Sequence, residues 1–215
     1  MLTVLTWRWG SKYGPEYVDR LRKGVTKHLS MPHRFLCVGE DIPIEDPHLL
    51  EVRDGCYARL RMFDPHWQVR NGIDRLICLD LDMVVTGPLH PLFDRPDPFM
   101  ILHGGHFNPC PFNGSVMMIN RGARPEVWND FSIEKAERVA TRGGEWRGSD
   151  QTWIADVAPD ASGWSWRDGI FAWQKPGWPK GEGLPPTARL VAFPGKADPS
   201  QLRKVPWVKE HWHDL

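Results

Sequence analysis

Residues 75–89 read RLICLDLDMVVTGPL, and the reading of this stretch decides the fold. Leu76, Ile77, Cys78 and Leu79 form an uninterrupted apolar run, the signature of a short strand covered on both faces of a sheet. The run delivers Asp80 and Asp82 to its carboxyl end. Beyond them Met83–Thr86 reads as a second β-branched segment that breaks at Gly87-Pro88. In open α/β sheets that edge is where ligands bind. Strand residues two apart point to one side, so Asp80 and Asp82 are expected to converge on one object. Paired hard oxygens suit Mg²⁺ or Mn²⁺ carrying a diphosphate. A D-x-D alone also caps helices or sits in turns. Here it opposes local strand propensity straight after an apolar run, and such breaches concentrate at functional sites.

Working outward, 215 residues suffice for one α/β domain with a full core. Lys+Arg and Asp+Glu both number 27, so the net charge is zero and the basic footprint of a general nucleic-acid binder is absent. Cys37, Cys56, Cys78 and Cys110 are scattered without C-x-x-C pairs and read as buried thiols of a reducing compartment. The N-terminus has no basic leader and no run approaches the ~18 apolar residues of a membrane span. The expectation is a soluble, cytoplasmic protein. Twelve tryptophans are unusual for this length, and they gather in Trp146, Trp153, Trp164, Trp166, Trp173, Trp178, Trp207 and Trp212. Several are expected as core anchors, and at least one is a candidate for the wall of a sugar-acceptor cleft.

In chain order, Leu2–Thr6 reads as the first strand. Pro15 opens a helix whose Val18, Leu21, Val25 and Leu29 recur at helical spacing, and Phe35–Val38 is the second strand. This strand–helix–strand unit begins a nucleotide-binding sheet, yet its loop WRWGSKYG is not a G-x-G-x-x-G fingerprint. Trp7 and Tyr13 in that region either stack on a base or pack on the following helix. Leu49–Val52 is expected as a strand and Tyr57–Phe63 as a helix. Arg59 and Arg61, two apart, cannot share a helix face, so at most one points into a site. Phe99–Leu102 is a further strand leading to a loop with His103 and His106, which are ligands or exposed loop residues. Asn113 stands at the entrance of the strand Val116–Asn120. Glu126–Phe131 and Ile133–Thr141 read as helices, the second stopped by Arg142-Gly143-Gly144. Ser149 or Asp150 caps the helix Thr152–Val157, and Asp150 and Gln151 are alternatively placed to hold sugar hydroxyls. After the Gly-, Pro- and Trp-rich Pro159–Pro186 comes the strand Arg189–Phe193.

The ordered blocks RWGSKYGPEYVDRL, YARLRMF, LICLDLDMVV, FNGSVMMIN, GSDQTWI and VAFPGKADP together resemble the GT-A fold glycosyltransferases related to family 8, in particular a group of short bacterial and phage proteins. The resemblance covers nearly the whole chain. It implies a Rossmann-like α/β domain with a central mixed, mostly parallel sheet, its nucleotide- and metal-binding part over 1–120 and its acceptor side and cover over 121–215. It further implies transfer of a sugar from a nucleoside diphosphate donor, UDP-linked by preference, to an unknown acceptor, with retention and with Mn²⁺ or Mg²⁺. By position, Thr6 and Tyr13 would serve the nucleoside, beside the donor-side candidate Trp7 of the loop, with Arg59 and Lys196 on the diphosphate and Asp80 and Asp82 on the metal, Asp80 also close to the donor. Asn113, Asp150 and Gln151 would face the donor sugar and reaction centre. The chain departs from the family where F-H-G-x-P-K-P becomes Phe193-Pro194-Gly195-Lys196-Ala197-Asp198-Pro199. Pro194 stands for the metal-binding histidine and Asp198 for the second lysine, so either water, His211 or His213 completes a metal site or metal binding is weak. A hydrolase or nucleotidyltransferase on the same fold, or a non-catalytic nucleotide- or sugar-binding protein, are the rival expectations.

Overall fold

The computed structural model describes residues 1–104, 110–141 and 148–215. His106, Trp146 and the Arg142-Gly143-Gly144 stop lie outside the described residues. The elements run β1 (Leu2–Trp7), α1 (Pro15–His28), β2 (His33–Val38), α2 (Pro65–Arg70), β3 (Arg75–Leu79), β4 (Val84–Val85), α3 (His90–Phe93), β5 (Phe99–His103), β6 (Phe112–Asn120), α4 (Glu126–Asn129), α5 (Ile133–Thr141), α6 (Asp150–Val157), β7 (Ser162–Trp164), β8 (Ile170–Ala172), β9 (Leu190–Ala192) and α7 (Pro206–Val208).

Six strands form one sheet in the order β2-β1-β3-β6-β5-β7, in which β6 alone runs against the others. The apolar run of β3 is explained by its position in the middle. Leu76 and Cys78 enter the core on one face with Leu5, Ile101, Met117 and Ile119. Ile77 and Leu79 enter the other with Val4, Met100, Val116 and Met118. A strand buried on both faces has no place for an alternating polar residue. α1 covers the second face: Pro15 sits in its first turn, Lys27 and His28 in its last, and Val18, Leu21 and Val25 are buried.

A smaller sheet, β4-β9-β8, takes up the tryptophan-rich C-terminal third. Val84 pairs with Val191 and Val85 with Leu190. The turn carrying Asp80 and Asp82 is thus held from both sides, by β3 in the large sheet and by β4 in the small one. Trp173, Trp207 and Trp212 are buried in the core beneath the small sheet, with Trp178 packed against it, as expected of anchors.

Two expectations are corrected and a third is refined. Leu49–Val52 is not a strand. Pro47–Glu51 is a 3-10 turn with proline in its first turn and only Leu49 buried, so its apolar residues seat a loop. Tyr57–Phe63 is helical in the tighter 3-10 form, within Arg53–Phe63. This segment starts from left-handed Asp54 and Gly55, φ 55° and 83°. A Cβ on Gly55 would come within 2.5 Å of Trp9 Nε1, whose N–H donates to Asp54 O at 2.8 Å, so glycine is required there. Finally, Asp80 and Asp82 do not converge by strand alternation. β3 ends at Leu79, and Met83 N–H donates to Asp80 O at 3.2 Å, folding the aspartates into a turn.

Candidate active site

A cleft of about 1400 Å³ opens at the carboxyl ends of β1 and β3. Its walls include Trp7, Tyr13, Arg59, Asp80, Asp82, Asn113, Asp150 and Gln151. The start of β6 is the hub. Ser115 O accepts from Asp80 N–H at 3.1 Å, Gly114 O accepts from Arg59 Nη2 at 2.6 Å, and Gly114 N–H donates to Gln151 Oε1 at 3.1 Å. Asn113 Oδ1 accepts from Ser115 N–H at 2.9 Å, fixing the turn of chain. Gly114 leaves room for this meeting: a Cβ would stand 3.2 Å from Asp150 Oδ2 and 3.8 Å from Arg59 Nη1.

Arg59 reaches the cleft from the 3-10 segment. Its Nη1 lies 2.8 Å from Asp80 Oδ1 and 3.6 Å from Asp150 Oδ2. Arg61 points away, to Glu45, Asp46 and Asp64, as the two-residue spacing requires. Ser149 caps α6 by accepting from Thr152 N–H at 3.3 Å. That releases Asp150 from capping and turns it into the site, where it is 5% exposed and its Oδ2 has no hydrogen-bond partner. Across the cleft Tyr13 donates its hydroxyl to Asp82 Oδ2 at 2.7 Å.

The charges follow from this crowding. Burial and the neighbouring Asp80 carboxylate push Asp82 up to about 6, against the hydrogen bond from Tyr13. Burial raises Asp150 as well, opposed by Arg59 and assisted by Asp80. Burial acts to lower Arg59, yet the Asp80 and Asp150 carboxylates outweigh it and hold the guanidinium protonated. Tyr13 is raised by its burial and then by Asp82 and so stays a donor. Two carboxylates held close at an energetic cost are what a divalent cation relieves. The contacts of Asp80 with Arg59 and of Asp82 with Tyr13 are each made through one oxygen. Among the described residues no group of three or more His, Cys, Asp or Glu is placed to hold a metal ion. A cation held by Asp80 and Asp82 alone would have to draw its other ligands from phosphate and water oxygens, as Mg²⁺ accepts.

Other expected residues fall elsewhere. Thr6 is fully buried and donates to Leu79 O at 2.9 Å, tying β1 to β3, so it does not line the cleft. Trp7 lines the cleft but lies nearly parallel to Trp67, centroids 6.0 Å apart. Tyr13 packs on Tyr17 of α1 while still facing the cleft, so the two readings of this residue are compatible. Lys196 is exposed and follows the cleft residues Phe193, Pro194 and Gly195 without lining the cleft itself. His211 and His213 are not in the walls. His213 contacts Arg20 and Pro199 O, and His211 faces His28, because the C-terminal turn packs on α1. Asp198 is a structural tie, accepting from Tyr17 OH at 2.8 Å and from Ser200 N–H. His103 lines the cleft and stacks on Phe112. Sequence reasoning missed the turn Ser165–Asp168 in the cleft wall, although S-W-R-D is a capping-box spacing.

No protein-family model matches the chain, and no curated protein sequence matches it. Solved structures do match. The galactosyltransferase LgtC, crystallised with donor and acceptor sugar analogues, superposes with a TM-score of 0.60 at 16% identity, over 98% of this chain and 96% of that one. The apo glycosyltransferase GlyE of Streptococcus pneumoniae TIGR4 gives 0.58 at 17% identity, over 97% of this chain and 59% of that one. A glycosyltransferase involved in glycosylation of the major capsid of PBCV-1 gives 0.55 at 12% identity, over 97% of each chain. Among the described residues no helix is long and apolar enough to cross a membrane. At such identities it is the architecture that is shared, and the chain has the GT-A fold of these glycosyltransferases.

Proposed function

We propose that the chain is a family 8-related glycosyltransferase that moves a sugar from a nucleoside diphosphate donor, UDP-linked by preference, to an acceptor hydroxyl with retention at C1. The observation that carries this reading is the meeting of Asp80, Asp82, Arg59, Asp150 and Gln151 in one cleft at the carboxyl edge of the sheet. Asp80 and Asp82 would hold Mg²⁺ or Mn²⁺, which when bound neutralises charge on the leaving diphosphate.

In the transfer the C1–oxygen bond to the diphosphate breaks and a bond from the acceptor oxygen to C1 forms, with the acceptor proton passing to the departing diphosphate. Arg59, kept protonated beside Asp80, offers a fixed positive charge in a site partly closed to water, where such charge acts most strongly. Asp150 faces the developing positive character at C1 or orients the acceptor. Gln151 and Asn113 each spend the side-chain oxygen on the β6 backbone, and their amide N–H groups, without a partner among the described residues, would serve sugar hydroxyls. Trp7 and Tyr13 line the side of the cleft expected to take the nucleoside.

The test is donor turnover with UDP-, GDP- and ADP-sugars, with and without Mn²⁺. Release of UDP that needs Mn²⁺ and disappears in Asp82→Ala supports the reading, and metal-independent turnover of equal rate overturns it. Pro194 in the cleft wall favours one alternative, a protein that binds the donor without turning it over. Binding without product in the same assay would select it.

A further inference from the structure

Trp166 is 51% exposed, and no other tryptophan among the described residues is classed as exposed. It lies in the cleft wall at the first position of the turn Trp166–Asp168. The turn is firmly built. Ser165 N–H and Oγ both reach Asp168 Oδ2, at 2.8 and 3.1 Å, and Arg167 N–H donates back to Ser165 Oγ. Gly169 closes it at φ 92°, where a Cβ would strike Thr187 O at 2.5 Å. An indole held on so rigid a support and left half open to the cleft is not serving the core.

Arg167 stands beside it, its guanidinium 5.4 Å from the centre of the Trp166 ring. The neighbouring acid, Asp168, is committed to the cap, and Arg167 makes no ion pair with a carboxylate among the described residues. The cleft is larger than the ~300–1,000 Å³ usual for one small ligand, so it has room for a second substrate beside the donor. A half-exposed indole can offer the face that Arg167 leaves uncovered to the C–H side of a pyranose, and a guanidinium with no ion pair among the described residues can take a planar carboxylate.

We propose that Trp166 and Arg167 form the acceptor subsite, and that the acceptor is a saccharide bearing a carboxylate, with Trp166 under a sugar ring and Arg167 on the acid group. This rests on the glycosyl-transfer reading above.

The test titrates the protein with a galacturonate trisaccharide and with the uncharged galactose trisaccharide of the same linkage, following the tryptophan indole N–H resonances by NMR. In parallel, UDP with Mn²⁺ is titrated calorimetrically, which reports on the donor reading alone. The acidic trisaccharide is expected to bind at least tenfold more tightly than the neutral one. Arg167→Gln should erase that preference while keeping neutral binding, and Trp166→Ala should weaken both by about tenfold. Both side chains are exposed, so both variants should melt with the parent. A protein that binds UDP but binds the two trisaccharides equally, or whose preference survives Arg167→Gln, overturns the charge assignment. Unchanged affinity in Trp166→Ala overturns the platform. Failure to bind UDP under any metal condition overturns the donor reading instead, independently of the saccharide results.

Discussion

Replacing Arg59 by Met separates the two roles the structure gives this residue. Arg59 neutralises Asp150, whose side chain is 7% exposed, and Asp80, whose side chain is 31% exposed. Water can reach Asp80 once the guanidinium is gone, but Asp150 stays enclosed. Removing one partner of a buried ion pair costs ~3–5 kcal/mol. The lower end applies here, because Asp150 can take up a proton and burial already favours its neutral form. A loss of ~3 kcal/mol at pH 7 corresponds to a fall of roughly 6–12 °C in Tm for a chain of this size. Urea unfolding of Arg59→Met, Asp150→Asn and the double variant measures it. The double variant should recover much of the loss, with a coupling of ~1–2 kcal/mol. Asp150 in Arg59→Met has a folded pKa raised further above its unfolded value, so the deficit should narrow as the pH falls from 7 to 5. A loss below ~1 kcal/mol, insensitive to pH and to Asp150→Asn, would refute the charge triad.

Asp82→Asn should stabilise the metal-free protein at pH 7.5. The folded Asp82 sits near 6, above its unfolded value, so the wild type gains stability as the pH falls through 6 towards 4, and its deficit of up to ~2–3 kcal/mol against Asp82→Asn should shrink at pH 5 in chemical denaturation. The same proton competes with a cation, so Mn²⁺ affinity measured by calorimetry should fall below about pH 6. Gly114→Ala puts a Cβ 3.2 Å from Asp150 Oδ2, and a displaced Asp150 should slow steady-state transfer ~10-fold or more with a Tm change of only a few degrees. Thr6→Val removes the tie to Leu79 O and should cost ~1 kcal/mol in urea unfolding while leaving nucleotide affinity unchanged.

What the sequence made legible was local. The run Leu76–Leu79, the D-x-D behind it and the capped start of α6 each carry their pattern within a few residues. The 3-10 turn at Pro47–Glu51 was misread because a short apolar run looks alike whether it pairs as a strand or seats a loop on a core. Thr6 was misplaced because its partner, Leu79 O, is set by the register of β1 against β3. The tie of Tyr17 to Asp198 spans 181 residues, and the pairing of Val84 with Val191 also joins distant parts of the chain, so neither leaves a local trace. The hub at Gly114 was half visible: Asn113 stood out as a polar side chain, whereas the backbone groups that bind Arg59 and Gln151 carry no residue signature.

The most direct measurement is the thermal shift of the protein with UDP in the presence and absence of Mn²⁺, for the wild type and Asp82→Ala. At a UDP concentration ~100 times Kd, binding to the folded state alone adds ~2.7 kcal/mol, or roughly 5–10 °C in Tm. The account predicts that shift only with Mn²⁺ and only in the wild type. An equal shift without metal, or one retained in Asp82→Ala, would contradict the assignment of Asp80 and Asp82 to a metal-held diphosphate.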